Sequence, residues 1–417
     1  MNNLRRVFIS IIFSTTSLYS FSQGSTNSPY SYYGIGEFEI SDHSRTSGMG
    51  GVGIGMRANG FLNYANPASY SSTDSLFFVL DVAMSGNMSR FESASTSYRA
   101  INGNLKKLAL GLRFNKNWGI SAGVIPYTNV GYKTTSTKNI EGQTETFTLT
   151  SEGNGGLSKL YLGNSVKIGK HFSIGVNSNI LLGYYEKKES YSCDNSTISA
   201  DTWQKNLKFK PSSAFSFDFG TQFTDSLNSN WEYTVGIVGG INNKLQLLEY
   251  ESYESSLISD DEEYVDHLDF WIPSFGGVGF SLSSSKWLFG ADYKFQNWES
   301  LKKKNDISAL TNSHHVAIGA QYCPRAFLGK NIFERMSYQL GAHFDRSYLK
   351  INNDNFDTYG ISAGLLIPIK NQLSVVGLSV DVGKKGRLAD RMFKENYIQV
   401  NLSLNFADIW FQKRRFN

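Results

Sequence analysis

The chain has 417 residues, with 40 Lys and Arg against 36 Asp and Glu, a formal net charge of +4. That near balance gives no electrostatic footprint for nucleic acid. The 40% hydrophobic and 14% aromatic content excludes a disordered chain. The charged share of 18% lies below the roughly 25% of average soluble proteins. Two cysteines, Cys193 and Cys323, cannot build a disulfide framework or a four-ligand zinc site.

Residues 1–22 read as a secretory signal. Arg5 and Arg6 supply a positive start, Val7 to Phe13 an apolar run, and Ser20 and Ser22 small residues before a cut at Gln23. The run is too short for a spanning helix, which needs ~20 apolar residues.

Residues 23–73 do not alternate like strands. They carry Ser28-Pro29-Tyr30, Tyr32-Tyr33-Gly34-Ile35-Gly36, Arg45, Gly48-Met49-Gly50-Gly51-Val52-Gly53-Ile54-Gly55 and Asn66-Pro67-Ala68. So many glycines permit tight turns and close backbone approach.

From residue 74 to 406 the pattern alternates almost throughout. Ile398, Val400, Leu402, Leu404 and Phe406 oppose Gln399, Asn401, Ser403 and Asn405. Phe172, Ile174, Val176, Ile180 and Leu182 form a second apolar row, and Phe215, Phe217 and Phe219 oppose Ser216, Asp218 and Gly220. Trp287, Phe289, Ala291, Tyr293 and Phe295 oppose Gly290, Asp292 and Lys294. Successive strand side chains face opposite sides, so each run has one apolar and one polar face. A soluble sandwich also alternates. Strands of ten residues or more exceed the globular mode of ~5–6. Aromatics at strand ends (Trp118, Tyr127, Trp231, Trp271, Trp287, Trp298) suit interfacial girdles. The expected fold is all-β, a transmembrane antiparallel barrel of about 14 strands.

The strand signals make fifteen segments, with 144–151 the weakest and the last strand at 373–382 or 395–406. Barrel parity reduces them to fourteen. Asn115-Lys116-Asn117 and Gly169-Lys170-His171 are expected periplasmic turns, and the polar stretches 189–204, 249–267 and 299–312 outer loops. Asp260-Asp261-Glu262-Glu263 lacks the spacing of a calcium loop and reads as solvated. A fourteen-stranded barrel is too wide for its side chains to fill, since about eight strands is the size at which they do. Residues 23–73 are therefore expected to form a plug in the lumen, with Pro67 setting a stiff turn just before the first strand and Asn66 able to cap it.

Chemical motifs fail on context. Gly48-Met49-Gly50-Gly51-Val52-Gly53 matches a dinucleotide fingerprint without the strand and helix it requires. Gly119-Ile120-Ser121-Ala122-Gly123 and Gly360-Ile361-Ser362-Ala363-Gly364 match a nucleophile elbow but lie inside alternating strands, where Ser and Gly fill the lumen. His314 and His315 face opposite sides, so no metal is expected there. His343 and Asp345 share a face and keep a barrel enzyme as a minor alternative; the expectation is no enzyme and no cofactor. Cys193 and Cys323 read as two free thiols, with a loop-to-rim disulfide as the alternative.

Arg45, Gly48 to Gly55 and Asn66-Pro67-Ala68 just before the first strand resemble the FadL-like outer-membrane transport family, PorV-like barrels included. The resemblance implies an outer-membrane location. It implies a plug or hatch carried by Arg45, Gly48, Gly50, Gly51, Asn66, Pro67 and Ala68, and hydrophobic compounds that bind inside and leave sideways through a wall defect. The linker between the motifs and the outer loops depart from the family. The alternative function is a non-transporting accessory subunit of a secretion or barrel-assembly machine. Gln399, Asn401, Leu404 and Phe406 resemble the C-terminal assembly signal of such barrels, with Asn401 in place of its Gly. The expected division is signal peptide 1–22, plug 23–73, barrel 74–406 and periplasmic tail 407–417. Outer-membrane lipid, the barrel-assembly machinery, and a hydrophobic ligand or secretion-machine subunits are the expected partners; nucleic acid is not.

Overall fold

A strand with one apolar and one polar face can cross a membrane only if its backbone is paired on both sides, which closes the sheet into a ring. The computed structural model describes residues 28–409 apart from 40–44, 74–76, 94–95, 140–145, 194–201, 256–258, 306–308, 326–328, 352–353, 370–373 and 389–392. The expected signal peptide, the end of the tail and the side chain of Cys193 lie outside the described residues.

A two-residue strand, β1 (Glu37–Phe38), precedes the wall. The wall begins with β2 (Phe77–Glu92), β3 (Ser97–Arg113), β4 (Trp118–Asn139), β5 (Thr146–Ile168) and β6 (Phe172–Cys193). The next three staves are each broken in two. They are β7 (Thr202–Ser213) with β8 (Phe215–Asn228), β9 (Trp231–Gly240) with β10 (Asn243–Glu254), and β11 (Glu263–Ile272) with β12 (Phe275–Ser284). The third break holds Pro273, which cannot donate to a ladder. Then follow β13 (Trp287–Gln296), β14 (Ser313–Tyr322), β15 (Ser337–Ile351), β16 (Asp354–Pro368), β17 (Val375–Lys385) and β18 (Lys394–Ile409). β18 pairs with β2 from Lys394↔Glu92 to Ile409↔Phe77 and closes a 14-strand antiparallel barrel.

The facing of the strands follows the alternation. Ile398, Val400 and Leu402 are exposed on the outside of β18, whereas Asn401, Ser403 and Asn405 are buried inside. Phe172 and Ile174 on β6, Phe215 to Phe219 on β8, and Val380 and Val382 on β17 continue the apolar belt. Such a belt around a closed wall places the protein in the outer membrane.

Several boundaries differ from the sequence expectation. Of the weak segment 144–151, residues 146–151 are strand, the upper part of the 23-residue β5. Both candidates for the last strand are strands, 375–382 within β17 and 395–406 within β18. Within the stretches expected as outer loops at 189–204 and 249–267, the described residues 189–193, 202–204, 249–254 and 263–267 are strand, because β6, β7, β10 and β11 run on above the belt. A polar composition does not stop a strand once neighbours on either side take its backbone hydrogen bonds. Trp298 is no girdle residue; it is fully buried beside Phe270 and Tyr348 in an aromatic core at the outer end of the lumen.

Candidate functional site

A β-bulge opens β3. Ala83 pairs with Lys107 but Met84 with Leu105, so the extra residue Lys106 turns inward together with Lys107. Two lysines in one strand therefore reach the lumen. Lys107 Nζ lies 3.0 Å from Asp81 Oδ2 and donates to the carbonyl of Leu62. Lys106 pairs with Glu39, whose carboxylate also accepts from Asn129 Nδ2 at 2.6 Å.

Glu39 thereby bridges a seam. β3 and β4 share only six residue pairs, Leu108↔Val124 to Arg113↔Gly119, although they are 17 and 22 residues long. Above that point β3 pairs with β2 alone, and β4 bends at Pro126, where its pairing with β5 shifts register. β1 lies on the vacated edge of β4, Glu37↔Asn129 and Phe38↔Thr128.

Residues 45–73 run around the inner wall. A 3-10 turn, Ser47–Met49, ends at Gly50 with φ 73°. Gly50 N donates to Ser362 Oγ at 2.8 Å, and Gln339 Nε2 donates to the carbonyl of Arg45 at 3.0 Å. Gly53 N and Ile54 N donate to Asp292 Oδ2 at 2.5 and 2.8 Å. Gln222 Nε2 donates to the carbonyls of Ile54 and Met56, and Ser281 Oγ to that of Gly55. Asn66, fully buried, caps the 3-10 helix Pro67–Ser72 by accepting from Ala68 N. Its Nδ2 donates to the carbonyls of Ile54 and Thr221. Ala68 is fully buried, and its carbonyl accepts from Ser165 Oγ at 2.8 Å. Tyr70 OH donates to Asn177 Oδ1, and Tyr64 OH to Asp218 Oδ2.

The wall meets this segment with glycine. A methyl group at Gly236 would overlap the carbonyl of Ile54, one at Gly341 the backbone of Met49 and Gly50, and one at Gly119 the carbonyl of Tyr70. Gly279 and Gly55 approach each other backbone to backbone. Inward glycines let a chain with few side chains lie directly on the sheet.

The motif residues thus all lie in this inner layer, with Gly48 against Gly364 of the wall and Gly51 N donating to the carbonyl of Thr46 at 3.2 Å. Gln399 Nε2 donates to Asn401 Oδ1 inside the barrel, whereas Leu404 and Phe406 lie on the opposite, half-buried face of β18. Asp292, Gln222 and Lys107 were missed as partners; their signal was a polar or charged residue at an inward position of a strand.

His343 and Asp345 belong to a longer chain. Asp345 bridges His315 and His343, His343 Nε2 meets Asp381 Oδ2 at 2.9 Å, and Tyr397 OH lies 3.4 Å from the same nitrogen. Its members satisfy one another across β14, β15, β17 and β18, which makes it a brace. It borders a polar cavity of about 200 Å³ with Asn87, Asn102 and Gln399. Cys323 is a free thiol.

A second cavity, about 170 Å³, lies behind the seam. Phe38, Ile125, Tyr127, Leu181, Ile272 and Phe275 are among its apolar lining residues, and Lys159, Asp218 and Lys294 among its charged ones. Lys159 stands over Tyr127 and Lys294 over Phe275, each near 4.5 Å from the ring centroid.

Solved structures share this architecture. The CymD monoaromatic hydrocarbon channel superposes with a TM-score of 0.57 at 14% identity, over 91% of this chain and 100% of that one. A FadL homologue from Pseudomonas aeruginosa gives 0.57 at 11%, over 90% and 100%, and the toluene transporter TbuX from Ralstonia pickettii 0.51 at 11%, over 90% and 99%. At these identities the likeness establishes the FadL-type barrel fold. No curated protein matches the sequence. The BamG family model matches residues 4–417, and the chain belongs to the BamG family.

Proposed function

We propose that the protein binds a hydrophobic compound behind the β3–β4 seam and passes it sideways between the lumen and the membrane. The short β3–β4 ladder with an apolar-walled cavity at its back carries this reading. The cavity of about 170 Å³ suits a ligand of one ring or a short chain, as a cavity of about 150 Å³ takes benzene. Burial of such a ligand contributes about 25 cal/mol per Å² of apolar surface. The neighbours named as a monoaromatic hydrocarbon channel and as toluene transporters support the same ligand class.

In this reading residues 23–73 are the plug. Arg45, Gly48, Gly50 and Gly51 hold one side of it, and Asn66, Pro67 and Ala68 anchor the other. Gln399, Asn401, Leu404 and Phe406 serve as the insertion signal of the last strand. The wall that rises above the membrane belt and the family name favour a second role, as an accessory subunit of the barrel-assembly machinery.

Purification in mild detergent followed by mass spectrometry tests both. A bound hydrophobe supports the first reading and a stoichiometric protein partner the second; a bare monomer that takes up no toluene overturns the first. The plug is tested by deleting 26–62 with the signal kept. The shortened barrel should conduct in planar bilayers, and insertion without added conductance would mean that the segment does not close the pore.

A further inference from the structure

Strand β11 ends the wall that rises above the belt. It pairs with β10 from Glu251↔Glu263 to Asn243↔Ile272, and among the described residues no strand pairs with its other edge. Its backbone groups on that edge are partly visible through their partners. His267 N is met by the neighbouring Asp266 Oδ1 at 2.7 Å. Trp271 N donates to Asn305 Oδ1 at 2.6 Å, while Asn305 Nδ2 donates to the Trp271 carbonyl at 2.9 Å. That reciprocal pair is the bond pattern an adjacent antiparallel strand makes with one residue. Asn305 thus imitates a strand at Trp271, and among the described residues no strand covers the row above it.

The row above is exposed on both faces from Glu263 to Leu268. Tyr264, Val265 and Leu268 are 56%, 54% and 42% exposed. Charge on an edge strand discourages edge-to-edge pairing between copies, and Glu263 and Asp266 do that here. Charge alone leaves three large apolar side chains on the same short strand unexplained. The approach is strongly negative: Asp260, Asp261, Glu262 and Glu263 lead into the strand and Asp266 follows, with Glu262 answered by Lys208 at 3.2 Å.

We propose that the free edge of β11 docks an extended segment of another protein, with Lys or Arg at alternate positions, as one further antiparallel strand outside the membrane belt. Main-chain hydrogen bonds supply affinity in such strand addition, and alternate side chains supply selectivity. The acidic edge selects a basic strand, and Tyr264, Val265 and Leu268 cover its apolar side chains. This site is independent of the ligand cavity.

The test uses the full-length protein in detergent and an acetylated octapeptide that alternates Lys with Val. Hydrogen exchange across 263–270 should slow about tenfold or more with that peptide. A Glu–Val counterpart and a version with a central proline should leave exchange unchanged. Glu263→Lys with Asp266→Lys should abolish the protection while heat-modifiable migration stays normal, which shows an intact barrel. Unchanged exchange with the basic peptide, or equal protection by the acidic or proline peptide, overturns the proposal. So does slowing on concentrating the protein alone, which would make a second copy the occupant.

Discussion

The carboxylate of Asp292 on β13 accepts the backbone N–H of Gly53 at 2.5 Å, so a wall side chain holds the inner segment by its main chain. The neighbouring N–H of Ile54 shares the same oxygen. Replacing Asp292 with Leu would leave two buried N–H groups without an acceptor, each worth about 1–3 kcal/mol. The expected outcome is faster hydrogen exchange across 50–56, with the barrel still resistant to unfolding at room temperature in a heat-modifiability gel. Unchanged exchange there would mean that the contact does not hold the segment.

Gly236→Ala adds one methyl group where the Ile54 carbonyl lies. Overpacking of this kind costs about 1–3 kcal/mol, and the inner segment should yield before the hydrogen-bonded wall does. Limited proteolysis should then cut within 45–73. Gly276→Ala, at a site with no atom within 4 Å, is the control and should behave as wild type.

Glu39 touches both sides of the seam, Lys106 on β3 and Asn129 on β4. Glu39→Gln removes the charge while keeping the shape. A hydrogen bond to a charged group contributes about 1.5–3 kcal/mol, so exchange across 125–132 should rise and release of a bound hydrophobe should quicken. If release were unaffected, the lateral route would lie elsewhere in the wall.

Val400 and Leu402 face lipid, whereas Asn401 between them faces the polar cavity. Arginine at either apolar position should cost about 2–4 kcal/mol near the bilayer midplane. Asn401→Arg should cost less, because it meets water and carboxylates. Folding yields in lipid vesicles measure the difference; equal losses at all three positions would contradict the observed facing.

Removing 396–406 should abolish insertion. This stretch supplies most of the pairing of β18 with both β17 and β2, so its loss leaves two open edges in lipid. Normal insertion of the truncated protein would require another strand to close the ring.

Alternation alone told which side of Ile398 to Phe406 meets lipid, because facing is set residue by residue along an extended chain. The same local rule assigned Ser121 and Ser362 to the inside, where both are buried, and left His314 and His315 on opposite faces. The turn at Asn66 was also legible, since a side-chain acceptor followed by proline is a local cap. Tertiary structure decided how far each strand runs and with whom. The polar ends of β6 and β11 read as loop by composition, and the neighbouring ladder keeps them extended. The seam arises because β3 stays with β2 while β4 bends at Pro126 towards β5, a choice between partners distant in sequence. The contacts of Asp292, Gln222 and the inward glycines depend on where the inner segment crosses each stave. That crossing is set by barrel width and stagger, which no single strand encodes.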